Sequence, residues 1–374
     1  MRICILSMQR VPNFGSLLQC YSLKKILTEM GHEVCFLDIE YRKHDDALMM
    51  GRKMDFSSES GRGGLIGKLH KIDRYAINRL RIKQADLAQN RLFHHFVECT
   101  LGVADPHSSY DLCIIGSDEV FNCASNAPWG FSSQLFGNVK NAAKVATYAA
   151  SCGATTIDRV PEAVREVIRN AFKNVSAFSV RDTNTEQFVK SLTDQNVKRH
   201  LDPVVIGGFD EEIESCQVTA KVPDRYCIIY SYYNRINNPS EISAIKNFCK
   251  KHELEIVTVG APQMWIKNHL VLTPFEALAV FKGAEFVVTD TFHGTIFSAK
   301  YAKNFITITR PSNVNKLTSL IADLHLEKHY AKDYTKLDAV YMQQKDQNGI
   351  DAIAQSARQD TMMYLNNLIA SSQQ

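Results

Sequence analysis

Short apolar runs and amphipathic stretches alternate along this chain almost from its first residue. Ile3 to Ser7 is a continuous run of the kind a buried parallel strand shows, and a Gly-containing turn follows it. From about Ser16 to Met30, Leu23, Ile26, Leu27 and Met30 recur at helical spacing, and Gly31 stands where a helix end favours a residue without Cβ. Val34 to Ile39, Leu112 to Ile115 and Lys144 to Ala149 read as further strands. Pro161 to Phe172 reads as a helix and Ala177 to Val180 as a strand, and Thr183 with Glu186 is a capping-box signature for the next helix.

The alternation pauses at Gly207, Gly208 and the acidic stretch Asp210 to Glu214, which has no clear period, and Val222-Pro223-Asp224 restarts it. Tyr226 to Tyr230, Glu255 to Val259, Phe286 to Thr289 and Phe305 to Ile308 are the strands of a second set. Asn238-Pro239-Ser240-Glu241 and Thr273-Pro274-Phe275-Glu276 carry helix-start chemistry, with a capping side chain, Pro at the first helical position and Glu at the third. A further helix is expected after Gly294, and residues 348 to 371 read as one last helix. Strands separated by helices of this length imply parallel, doubly wound sheets.

The expected fold is therefore α/β, two Rossmann-like doubly wound domains facing across a cleft. The first spans 1–210 and the second 220–345, with the boundary near 206–222. Residues 346–374 form a terminal helix placed to pack back across both. The length of 374 residues agrees, since single cores rarely serve so long a chain.

Composition narrows the class. A hydrophobic fraction of 45% and a charged fraction of 22% suit a globular protein, and no apolar run approaches the roughly 18 residues of a spanning helix. Met1 to Met8 is apolar, but Gln9, Arg10 and Asn13 follow where an export signal would stay apolar, so a first strand and a cytoplasmic location are expected. Ten cysteines include no Cys-x-x-Cys pair, and Cys4, Cys35, Cys113 and Cys227 lie in strand-like runs. Buried free thiols explain them better than disulfides or a zinc site. No metal site is expected, and the pair His94-His95 lacks a ligand arrangement.

The net charge of +3 conceals one asymmetry. Residues 51–95 hold ten Lys or Arg against four acidic residues, with Ile66, Leu69, Ile72, Tyr75, Ile77 and Leu80 interleaved. This basic excursion reads either as a solvated helix with a core-facing stripe or as a surface for anionic lipid or a lipid-linked acceptor, giving peripheral membrane contact. Nucleic acid is not expected, because no aromatic-interleaved basic motif accompanies it.

Loops that follow strands are where chemistry should lie in such a fold. Pro12-Asn13-Phe14-Gly15-Ser16 offers a tight turn and a helix N-terminus. Ile115-Gly116-Ser117-Asp118-Glu119 and Tyr148-Ala149-Ala150-Ser151 put small polar groups at strand ends. Val288-Thr289-Asp290-Thr291-Phe292-His293-Gly294-Thr295 brings a titratable His to a helix start, where the dipole disfavours a cation but a bound anion would welcome one.

Taken in order, these residues resemble the polysaccharide pyruvyl transferases over nearly the whole chain. Asn13-Phe14-Gly15-Ser16-Leu17-Leu18-Gln19 is similar to that family's opening Asn-Tyr-Gly motif, and Gly116-Ser117-Asp118-Glu119-Val120-Phe121-Asn122 to its Gly-Ser-Asp-Gln-x-Trp-Asn. Tyr148 to Ser151, Ser179-Val180-Arg181-Asp182 and Leu201-Asp202-Pro203 follow in family order, and Thr289 to Thr295 resembles its Thr-Asp-Ser-Phe-His-Gly hallmark.

The resemblance implies a glycosyltransferase B-like architecture. It also implies transfer of the carboxyethylidene unit of phosphoenolpyruvate, a co-substrate with no further cofactor, to two hydroxyls of a nucleotide-linked or lipid-linked saccharide in capsule or exopolysaccharide assembly. On this reading His293 is the acid or phosphate partner, and Asp118 a base or a holder of a sugar hydroxyl. Thr291, Phe292, Gly294 and Thr295 lie on the donor side, and Asn13, Phe14, Gly15, Gly116, Ser117 and Ser151 on the acceptor side.

One position departs from the pattern. Some members read Arg-Leu-His-Gly where this chain has Thr291-Phe292-His293-Gly294, so a donor-holding Arg is absent at Thr291. Arg235, Arg310 and Lys316 are candidate replacements, with Arg181 a fourth. Two other functions stay open on the same architecture: a glycosyltransferase using a nucleotide-sugar donor, and a non-catalytic saccharide-binding module.

Overall fold

The computed structural model describes residues 1–49, 72–103, 108–125, 127–310 and 313–371. Part of the basic excursion at 51–95 therefore lies outside the described residues. Its remainder is the helix Ile72–Phe96.

Among the described residues, twelve strands form two six-stranded sheets in which every pairing is parallel. The first sheet contains β1 (Arg2–Leu6), β2 (Glu33–Phe36), β3 (Tyr110–Asp118), β4 (Ala142–Ala150), β5 (Phe178–Val180) and β6 (Val197–Arg199), in the order β2-β1-β3-β4-β5-β6. Ile5 is opposite Ile114, and Ile114 is opposite Ala146. The second contains β7 (Tyr226–Tyr230), β8 (Glu255–Val259), β9 (Asn268–Leu270), β10 (Phe286–Thr289), β11 (Phe305–Ile308) and β12 (Tyr330–Ala331), in the order β12-β11-β10-β7-β8-β9. Every residue of β7, β10 and β11 is buried, which is why they read as unbroken apolar runs. The two-Rossmann α/β expectation holds.

Each order contains one switch point. Chain connections run in opposite directions from β1 and β3 in the first sheet, and from β7 and β10 in the second. Crevices open outside the carboxyl ends of strands at such points. The loops there begin at Ser7 and Asp118 in one half, and at Ser231 and Asp290 in the other.

Helix starts are set by local chemistry, with two corrections to the sequence reading. The helix Thr183–Lys190 is capped by Asp182, whose side chain accepts from Thr185 N, and not by Thr183. The helix expected after Gly294 already begins at Phe292, with Thr291 as its cap accepting from Gly294 N. His293 consequently sits inside the first turn. Asn13 caps the helix Phe14–Glu29, and Thr273 with Glu276 forms a full capping box on Pro274–Gly283.

The halves are joined by more than the chain. One apolar cluster runs through both, including Phe14, Leu17 and Leu18 from the first and Ile228, Tyr230 and Phe297 from the second. Tyr21 and Phe96 meet Phe275 edge-on, at centroid distances of 4.9 and 5.3 Å. Gln89 exchanges two hydrogen bonds with the backbone of Leu272, at 2.7 and 3.0 Å. The terminal helix Gln347–Ala370 returns to the first sheet, where the Tyr364 hydroxyl donates to Thr147 O at 2.8 Å and Tyr148 meets Thr361 at 2.9 Å.

Candidate active site

At the first switch point β3 ends in distorted backbone. Gly116 has φ +123°, and a Cβ there would lie 2.2 Å from Tyr148 O, so only glycine fits. Two residues on, Asp118 takes φ +70°, a sparsely populated region for a side-chain-bearing residue. Its carboxylate accepts from the Ser16 hydroxyl at 2.7 Å, and Ser16 in turn is bonded to Asn13 through Oγ and backbone N. The N-terminus of the first helix and the end of β3 thereby form one polar cluster.

The second switch point supplies His293. Thr291 caps its helix and faces Thr289 Oγ1 at 3.1 Å, while Gly294 is packed so closely that a Cβ would collide with both threonine hydroxyls and Tyr230. Beneath this turn, buried Asp290 accepts from Ser231 at 2.7 Å and from Arg310 Nε at 3.3 Å, and Arg235 Nε lies 3.6 Å away. Burial pushes the Asp290 carboxyl up despite both guanidinium groups.

The two loops meet. His293 comes from the second half, and its Nε2 lies 3.4 Å from Asp202 of the first. Asp202 also accepts from Arg181 Nη1 at 2.7 Å, and Arg181 Nη2 stands 3.6 Å from Asp118. The Arg181 guanidinium covers the Phe292 ring at 4.1 Å. Burial would raise the Asp202 carboxyl, but the neighbouring His293 and the Arg181 guanidinium outweigh it and hold the group well below the usual carboxylate range. Across the cleft, Lys316 Nζ bonds Glu119 at 2.8 Å, and that charge draws the Glu119 carboxyl down to about 2.

A cavity of about 720 Å³ opens above this contact. It takes Asn13, Phe14, Asp118 and Arg181 from the first half and Thr291, Phe292, His293 and Lys316 from the second. A cleft with a few convergent polar groups at paired switch points is a ligand site by geometry.

The remaining sequence candidates lie elsewhere. Gly116, Ser117 and Ser151 are buried under the cavity floor. The Ser117 hydroxyl donates to Ala149 O at 2.9 Å, and that of Ser151 to Asp182 at 2.7 Å. Gly15 forms the wall behind the His293 ring. Thr295 is buried and donates to Thr291 O. Arg310 is engaged by Glu241 at 2.7 and 3.2 Å and by the Tyr334 hydroxyl at 2.9 Å, and Arg235 stacks 5.2 Å over the Tyr232 ring. Of the four cations considered, Lys316 and Arg181 line the cavity.

Asp202 is the residue that sequence reasoning passed over as a site group. Its signals were the place of Leu201-Asp202-Pro203 in the family order and an Asp before Pro, which reads equally as a helix start, and Asp202 does cap Pro203–Ile206. Burial pushes the Cys20, Cys123 and Cys152 thiols up, Cys123 to about 12. No helix among the described residues is long and apolar enough to cross a membrane.

Comparison with known proteins follows from this arrangement. A glycosyltransferase from a Streptomyces species matches in fold at 11% identity and a TM-score of 0.46, over 97% of this chain and 99% of that one. A UDP-GlcNAc 2-epimerase from Methanocaldococcus jannaschii matches at 11% identity and 0.48, over 98% and 100%. The glycosyltransferase SnogD from Streptomyces nogalater matches at 12% identity and 0.42, over 100% and 99%. No curated protein matches the sequence. The family description polysaccharide pyruvyl transferase, however, fits residues 13–313, which include Asp118, Arg181, Asp202 and His293, and the chain belongs to that family.

Proposed function

We propose that the protein transfers the carboxyethylidene unit of phosphoenolpyruvate to two hydroxyls of a saccharide. The observation that carries this reading is the convergence of His293, Arg181, Lys316 and Asp118 from opposite halves on one cavity. The chemistry needs a proton donor, cations for a carboxylate and a phosphate, and an acceptor beside a hydroxyl.

In this reading a proton is added to C3 of the enol, C2 becomes electron-poor, and the first sugar hydroxyl attacks it. Phosphate then departs from C2, and the second hydroxyl closes the ketal. One hydroxyl proton ends on the new methyl group and the other on phosphate. His293 supplies the proton to C3 and recovers it from the attacking hydroxyl, which Asp118 holds. Arg181 and Lys316 receive the donor's negative charge, a task that the missing Arg at Thr291 leaves to them. Both are already paired, Lys316 with Glu119 and Arg181 with Asp202, so donor binding must share or displace those carboxylates.

The test is phosphate release from phosphoenolpyruvate against a panel of nucleotide-linked and lipid-linked saccharides. Acceptor-dependent release, with a product heavier by pyruvate less water, is expected. Turnover with nucleotide sugars as donors and none with phosphoenolpyruvate would replace this reading by glycosyl transfer.

A further inference from the structure

We propose that Asp202 is the positioning carboxylate of His293, fixing which of its ring nitrogens carries the proton. The pairing stands on geometry; that the ring then moves a proton rests on the reading above.

Asp202 lies just past β6, in the half of the chain that does not carry His293. Its Oδ1 accepts from Val204 N at 3.0 Å, so the carboxylate cannot rotate freely. Its Oδ2 takes Arg181 Nη1 at 2.7 Å and stands 3.4 Å from His293 Nε2. The carboxylate is wholly buried, as is the Nε2 atom facing it, yet that nitrogen has no completed hydrogen bond. A buried ring nitrogen without a partner is costly, and a carboxylate a few tenths of an ångström too far is the nearest remedy.

The other ring nitrogen faces a different wall. A Cβ on Gly15 would fall 2.2 Å from Nδ1, so Nδ1 lies against the first turn of the Asn13-capped helix, whose flanking residues line the cavity. With the Nε2 proton directed at Asp202, Nδ1 is the nitrogen left to work. A carboxylate that fixes which nitrogen carries the proton governs the reaction without touching substrate.

Two-bond proton–nitrogen correlation spectra of protein labelled with nitrogen-15 histidine read this directly, with His293 assigned by the signal lost in His293→Gln. The wild type is expected to keep a proton on Nε2 in both charge states of the ring, so that Nδ1 alone gains and loses the proton that is given to C3. In Asp202→Asn the amide meets N–H donors at both oxygen positions. The Nε2 resonance should move from the protonated to the unprotonated range, and kcat should fall on the order of a hundredfold or more. Asp202→Glu should recover part of it. A wild-type ring protonated on Nδ1 alone would overturn the proposal even if Asp202→Asn failed to fold. So would a folded Asp202→Asn with unchanged His293 resonances or unchanged turnover. Phosphate release absent from the wild type would count against the reaction, while the nitrogen resonances would still decide the pairing.

Discussion

Gly15 and His293 come from opposite ends of the family match and touch across the cleft: a methyl group on Gly15 would lie 2.2 Å from His293 Nδ1 and 2.3 Å from Cγ. Glycine is required here by the approach of a ring and not by an unusual backbone angle. Gly15→Ala should displace the His293 ring, with an overpacking cost of about 1–3 kcal/mol. Phosphate release should drop at least about tenfold, since misplacing a catalytic group by an ångström can cost far more. Paired thermal unfolding and turnover measurements check this. Full activity would mean that the ring can shift without consequence.

Arg181 holds Asp202, faces Asp118 and lies flat on Phe292, three contacts that a planar guanidinium makes at once. Its two carboxylates keep it charged against the cost of burial. Arg181→Lys retains the charge but gives up the stacking and the fork. Donor affinity should weaken roughly tenfold to a hundredfold, about 1.4–2.8 kcal/mol, as read by calorimetric titration with phosphoenolpyruvate. An unchanged affinity would move the donor's carboxylate to Lys316.

These contacts show what a sequence can and cannot disclose. Strands such as β7 and β10 were legible because both faces are buried, which leaves an apolar run. The edge strands β6, β9 and β12 were not, being two or three residues long with polar members such as Lys198 and Arg199. That Asn13, Asp118 and His293 share a cavity could be anticipated from their places after strands. The Asp202–His293 approach could not, because it depends on how two domains meet. Nor could the engagement of Arg310, whose partner Glu241 is 69 residues away in sequence on the helix Pro239–Lys251.

The Glu119–Lys316 pair joins the two halves, and its titration has a definite sign. The Glu119 carboxyl is depressed to about 2, so its contribution to stability is complete above the ordinary glutamate range and is lost as pH falls toward 2. Both side chains keep some exposure, so the loss should be about 1–3 kcal/mol. Urea unfolding midpoints between pH 7 and pH 2.5 should fall more steeply for the wild type than for Glu119→Gln. Parallel curves would show that the pair does not bind the halves together.

A stability change remote from the cavity should leave the chemistry alone, and the capping box at Thr273 provides one. Its hydroxyl accepts from Glu276 N at 3.3 Å, and Glu276 answers by accepting from Thr273 N at 2.8 Å. The same carboxylate also takes Thr219 N and Oγ1 at 2.8 and 2.9 Å, fastening the segment that precedes β7. Thr273→Ala removes the hydroxyl's share only and should cost about 1 kcal/mol. Glu276→Ala removes the carboxylate's three bonds and should cost more, because Thr219 loses its partner as well. Turnover per folded molecule should stay at the wild-type value for Thr273→Ala, measured well below its melting temperature. A fall in turnover there would mean that the seating of Pro274–Gly283, which carries Phe275 against Tyr21 and Phe96, sets the cleft geometry that His293 depends on.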